Sequence, residues 1–267
     1  MSTWPQCAMI YDGTFSGFLT CVAESFRTKE YPFYFLPPGT EQISLYPLRE
    51  IHTDPALART VYQALETQVS AAFRRIVTYS FLTCLPQKER HIFDVVYLGF
   101  LQALPQDMTD DRLLILERAV HHLTHEAHQY KGFLRFSDYG GVLVGQITPK
   151  NRVLPLLRPH FCQRLPNEAF LIHDKTHREG LFYADHKWKL RPVDHLDLDR
   201  PDQAELECRA LWRRFYHTIA IESRHNPKCR MTHMPKRYWN TMTEFQTEAP
   251  DGRGSPPGAP PRKELTG

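Results

Sequence analysis

Apolar positions change their period near residue 130, and that change divides the chain. Met9-Ile10-Tyr11 is a short apolar run closed by Asp12-Gly13, which predicts a strand and a turn. Thr14 is placed to cap a helix to about Phe26, with Phe15, Phe18, Leu19 and Val22 on one face. Phe33-Tyr34-Phe35-Leu36 predicts a strand ended by Pro37-Pro38-Gly39, and Ile43 to His52 reads as extended. Asp54-Pro55 is an N-cap followed by proline at the first helical position, opening a helical stretch to Cys84 with a break near Ser70. A further helix runs from Pro86 to Leu104, and Asp110 caps a long one through His128.

Beyond 130 the pattern turns strand-like: Phe133-Leu134-Arg135-Phe136, 140–145, Ala169–Ile172, Gly180–Tyr183 and Lys187–Leu190, with turn residues between them. A short helix around Val153 to Arg164 interrupts the strands, and Asp202 begins a terminal helix. The expected architecture is α+β: a mostly helical N-terminal half packed with a largely antiparallel sheet flanked by helices. We read 1–240 as a single domain, helical to about 130 and sheet-containing over about 131–240. From Thr247 on, Pro, Gly and charged residues dominate, so 247–267 is expected to be a disordered tail.

Charge sharpens this division. Residues 1–130 hold ten Lys/Arg against fourteen Asp/Glu, whereas 131–240 hold twenty against twelve, a net of +8 hidden in an overall +3. A basic half suits a polyanionic partner. Its densest part runs from Leu211-Trp212-Arg213-Arg214-Phe215-Tyr216 through Arg224 to Met234-Pro235-Lys236-Arg237-Tyr238-Trp239. Arginine and lysine neutralise phosphates and aromatic faces stack on bases, so Arg135, Arg213, Arg224, Lys236, Arg237, Tyr238 and Trp239 are the candidate nucleic-acid contacts. The ordinary alternative makes Trp212, Phe215 and Tyr216 the buried face of an amphipathic helix. Pro235 should present Lys236–Trp239 in a compact turn serving function more than folding; the competing account is a hydrophobic latch.

Catalytic chemistry is weakly signalled. His121, His122, His125 and His128 cluster on one helix, but His125-Glu126-Ala127-His128 is one residue short of the zinc-protease spacing, so no metal is expected. A hydrogen-bonding role for Glu126 and His128 at the helix-to-strand junction is the simpler account. Asp174, with His173, His177 and Glu179 at a hairpin, offers an acid/base pair or merely a turn cap. His128 and Asp174 are thus the only catalytic candidates, and no cofactor motif is present. The six cysteines are irregularly spaced and read as buried free thiols. Neither a signal peptide nor a membrane span is seen, so a cytoplasmic protein with no membrane partner is expected.

Three blocks resemble a bacterial family known as domain of unknown function 4130, described as DNA-metabolism proteins. They are Tyr11-Asp12-Gly13-Thr14-Phe15-Ser16-Gly17-Phe18-Leu19, then Glu126 and His128 leading to Phe133, Arg135 and Phe136, then Leu211 to Trp239 with Arg224-His225-Asn226-Pro227 inside it. The third block carries Phe215 where members have Tyr. The resemblance implies a role in DNA modification or repair beside a radical-SAM partner, and the domain also occurs fused to uracil-DNA glycosylases; it transfers no catalytic residue. The leading expectation is therefore an accessory protein that binds DNA without sequence preference. The alternatives are a repair or base-modifying enzyme in its own right and a protein–protein adaptor.

Overall fold

A computed structural model describes residues 4–40, 44–101, 110–198, 201–224 and 226–246. The expected tail at 247–267 lies outside the described residues. The architecture is α+β, in two compact units: one within Met1–His128 and Pro149–Leu156, the other within Gln129–Thr148 and from Leu157 onward.

The first unit opens with β1 (Gln6–Ile10), helix α1 (Phe15–Thr28) and β2 (Tyr31–Leu36). With β3 (Leu48–Glu50) these strands form a parallel sheet in the order β2-β1-β3. Parallel strands need a crossover, and α1 supplies it. Central β1 buries Cys7, Ala8 and Met9 in succession, as a strand covered on both faces does. The separate strand signals were in the sequence; their union in a parallel sheet was not expected from it.

The Tyr11–Leu19 block has a local explanation. Gly13 adopts φ +78 to turn out of β1. Asp12 Oδ1 accepts from Thr14 N at 2.9 Å and Thr14 Oγ1 at 2.8 Å, while Oδ2 accepts from Thr53 Oγ1 at 2.7 Å beyond β3. Thr14 in turn caps α1 by accepting from Gly17 N at 2.9 Å. A Cβ on Gly17 would collide with the Asp12 carboxylate, so glycine is required there. These donors hold the Asp12 carboxyl below its ordinary range even though partial burial pushes the other way.

Helix α2 (Pro55–Ala64) starts on the Asp54 cap and runs into a π-turn over Leu65–Val69. Ser70, extended at φ −171, breaks the helix and caps α3 (Ala71–Phe81) through Phe73 N. With α4 (Lys88–Phe100) these helices enclose Phe18, Leu65, Phe73, Val77, Ile92, Phe93 and Val96. Burial here also lifts the Cys7 thiol to about 11.

The long α5 (Asp111–Phe133) passes beyond His128. Leu134 N still donates to Tyr130 O, so Phe133-Leu134-Arg135 closes a helix and the strand starts only at Phe136. An alternating apolar pattern too short to fix its period was overridden by helix propagation. Glu126, 3 % exposed, accepts from Lys150 N, Asn151 N and Asn151 Nδ2, pinning the 150–151 loop rather than a helix-to-strand junction.

In the second unit β4 (Phe136–Tyr139), β5 (Val142–Ile147), β6 (Ala169–Asp174), β7 (Glu179–Ala184) and β8 (Lys187–Pro192) form one sheet in chain order. It is mixed rather than purely antiparallel. Helix α6 (Leu154–Arg164) carries the chain from β5 to a parallel β6, while the other three pairings are antiparallel. The tight hairpins Gly140-Gly141 and Asp185-His186 each have φ > 0 at both turn residues, the geometry that matches strand twist. Phe136, Phe161, Phe170 and Tyr183 pack ring against ring on one sheet face. No helix among the described residues is long and apolar enough to cross a membrane.

Candidate nucleic-acid interface

Helix α7 (Gln203–Thr218) begins on Asp202, whose Oδ1 accepts from Glu205 N at 2.8 Å. It contains no buried residue, and Trp212 and Phe215 are 39 % and 53 % exposed, so these rings are not a core face. Past Ile219 the chain makes a short 3-10 turn, Glu222–Arg224, and then α8 (Pro227–His233). Asn226 caps α8 by accepting from Cys229 N at 3.0 Å, with proline at the first helical position. This accounts for the Asn-Pro pair. Two 3-10 segments, Lys236–Thr241 and Thr243–Phe245, complete the C-terminal layer.

Between α7, α8 and the last 3-10 segment lies an open groove of about 1000 Å³. Arg213, Tyr216 and His217 line it from α7, Arg224 from the connecting turn, Arg230 from α8 and Phe245 from the end. Arg230 sits over an aromatic pair: its guanidinium carbon is 5.1 Å from the Trp239 ring centre and 5.5 Å from that of Phe245. Those two rings are stacked at 4.5 Å and 16°. Trp239 Nε1 donates to Met234 O at 3.0 Å, which holds the pair in place. The Arg230 Nε–H is buried and has no acceptor among the described residues. What the open groove offers a ligand is its set of cations, Arg213, Arg224 and Arg230, and guanidinium groups suit an anionic partner.

Among the described residues one acid lines the groove, Glu244, and it is already committed. It is 5 % exposed and accepts from Arg135 Nη2 at 2.7 Å, Arg135 Nε at 3.3 Å and Trp212 Nε1 at 3.1 Å. Burial alone would raise its carboxyl, but these donors outweigh it and hold it low. Arg135 also donates from Nη1 to Gly132 O and Leu134 O, so its guanidinium is spent on positioning the layer.

The remaining sequence candidates separate. Arg213 and Arg224 meet at the groove. Lys236 and Arg237 stand exposed on their 3-10 segment, with Arg237 4.7 Å from the Tyr238 ring centre. Tyr238 itself is 1 % exposed, packed edge-on against Tyr130 at 4.9 Å and against Phe133 at 5.2 Å. Its ring therefore belongs to the core of this unit. Arg230 and Phe245 were not singled out from sequence; the signal available for Arg230 was its place three residues after an Asn-Pro helix start.

His121, His122, His125 and His128 are all exposed, and among the described residues no group of three or more His, Cys, Asp or Glu is arranged to hold a metal ion. Asp174 is fully buried and accepts from Thr176 N at 2.9 Å and His177 N at 3.1 Å, with His177 Nδ1 2.7 Å from Oδ2. That is a capped turn whose acceptor sites are filled by its own loop. All six cysteines are free; Cys7 and Cys21 are buried, but Cys84, Cys208 and Cys229 are exposed. The expectation of buried thiols therefore fails for those three.

Fold and groove together define an α+β protein whose second unit presents a cationic and aromatic cleft. Residues 86–244 match the family described as a domain of unknown function, DUF4130, and the chain belongs to that family. The match takes in the second and third sequence blocks and begins well after the Tyr11–Leu19 block. No curated protein matches the chain.

Proposed function

We propose that this protein binds nucleic acid through the groove of its second unit and serves as an accessory factor in DNA metabolism or repair. The observation that carries the reading is the grouping of Arg213, Arg224 and Arg230 along one open groove, with Arg230 over the stacked Trp239 and Phe245 rings. Phosphates satisfy the guanidinium donors and bases stack on the rings. None of these groups reads a base edge in a fixed pattern, so binding is expected to be independent of sequence. The family resemblance adds a radical-SAM or glycosylase partner, which would supply the chemistry.

The test is fluorescence anisotropy with labelled single-stranded and duplex oligonucleotides across a salt series. A footprint of about four phosphates gives a slope of roughly −3 to −4 in log K against log salt on duplex. The double variant Arg224→Ala, Arg230→Met should weaken binding at least tenfold. A flat salt response, or an unaltered affinity in the double variant, would sink this reading.

A protein-adaptor reading has one observation in its favour: Leu211, Phe215 and Ile219, spaced to share a face of α7 and its C-cap, are 64 %, 53 % and 57 % exposed.

A further inference from the structure

Strand β8 alternates cations and apolar residues, Lys187-Trp188-Lys189-Leu190-Arg191, so its three cations share one face of the sheet. In register on β7, Phe182 stands directly opposite Lys189, Ala184 opposite Lys187 and Gly180 opposite Arg191. The lysines and Arg191 are exposed and make no ion pair among the described residues. Phe182 is 38 % exposed, while its neighbour across β6, Leu171, is 7 % exposed. The ring thus lies where the buried part of the sheet meets solvent.

Gly180 explains the attitude of that ring. A Cβ built on Gly180 would come 2.9 Å from Phe182 Cε2, so the phenyl ring leans along the strand over the bare glycine. A ring lying down on a sheet turns one face outward, whereas a ring standing upright turns only its edge. Trp188 belongs to the opposite face, where the Arg158 guanidinium covers it at 4.2 Å, and takes no part.

We propose that this face of β7–β8 is a second binding surface, specific for single-stranded nucleic acid, with Phe182 stacking an unpaired base and Lys187, Lys189 and Arg191 taking the phosphates. The inference rests on the nucleic-acid reading above and names the strand form it acts on. Alternate residues of a strand are about 7 Å apart, the same order as successive phosphates of an extended single strand. In a duplex the base faces are covered by their neighbours, so the ring finds nothing to stack on; a single strand offers them freely. An acidic peptide could meet the cations but would leave the ring face unused.

The experiment uses the full chain and a labelled oligothymidylate of about 16 nucleotides, with a duplex of equal length beside it. Phe182→Leu keeps the apolar bulk and removes the π face. It should weaken oligothymidylate binding by about tenfold and leave duplex binding unchanged. The triple variant Lys187→Gln, Lys189→Gln, Arg191→Gln should reduce the single-strand salt slope by about 2, at roughly 0.7 for each phosphate no longer neutralised. Melting curves establish that each variant is folded. If both variants bind oligothymidylate like wild type while the groove variant does not, the sheet surface is overturned and the groove reading stands. Equal losses on single strand and duplex from Phe182→Leu would also overturn it. Wild-type protein that binds neither probe at low salt removes the functional reading, and this inference with it.

Discussion

Replacing Tyr238 by Ala should lower the stability of the second unit by about 3–4 kcal/mol, on the scale of a large aromatic removed from a core. Tyr238 is among the largest fully buried side chains, and its ring packs against Tyr130 and Phe133 at the end of α5. No neighbour is placed to fill the volume, because Trp239 is held by its bond to Met234 O and its stack on Phe245. For a unit of this size the melting temperature should fall by roughly 10 °C. The adjacent pair matters less. Lys236→Ala with Arg237→Ala removes exposed side chains, but Arg237 Nη2 also donates to the Tyr238 hydroxyl, so the melting temperature should fall by a few degrees, well short of the Tyr238→Ala loss. Neither side chain lines the groove, so on the groove reading the same double variant leaves DNA affinity largely unchanged, and a loss of about tenfold would move the contact surface to this segment. Calorimetry and anisotropy on the two proteins check both halves. A Tyr238→Ala protein that melts like wild type would show that the latch carries no load.

Removing the Glu244 carboxylate should cost a comparable amount, about 3 kcal/mol for Glu244→Ala, since it strands the Arg135 charge and the Trp212 indole N–H together. Arg135 keeps about a quarter of its side chain in water, which places the cost at the low end for a broken ion pair. The pair also predicts a pH signature. Glu244 titrates below its ordinary value of 4.5 in the folded chain. Its contribution is therefore complete above about pH 4.5 and is lost as the pH falls through the lower folded value. Glu244→Gln retains the shape without the charge, so the gap between wild type and this variant should be widest near neutrality and close on acidification. Urea unfolding at pH 7 and near pH 4 measures it. A gap that stays constant would mean that Glu244 acts by shape alone.

Much of this organisation was legible in the order of residues. Caps announce themselves locally, because an Asp, Ser, Thr or Asn side chain satisfies donors only two or three residues away. Thr14, Asp54 and Asp202 cap where the pattern starts a helix, and the break expected near Ser70 falls at Ser70 itself, which also caps the next helix. Gly140-Gly141 likewise turns where two positive φ values are needed. The switch from helical to strand period near 130 falls close to the junction of the two units for the same reason: amphipathic periodicity is written residue by residue.

What the order of residues did not contain is which partner each group meets across the fold. Arg135 read as a free cation because its neighbours in sequence are apolar; its partner, Glu244, is 109 residues away. Tyr238 and Trp239 are adjacent and chemically alike, yet one is core and the other flanks the groove, a difference set by the end of α5 and by Phe245. Trp212 and Phe215 of α7 fit a buried face by their spacing and are exposed, while Tyr216 is half-buried against Phe245, since an amphipathic helix marks a face without naming what covers it. The chain's sequence by itself determined the elements, their caps and the basic character of the second half. Only the tertiary structure decided which arginines are spent on Glu244 and the backbone, and which line the groove. Charge is a property of a residue, whereas availability is a property of its surroundings.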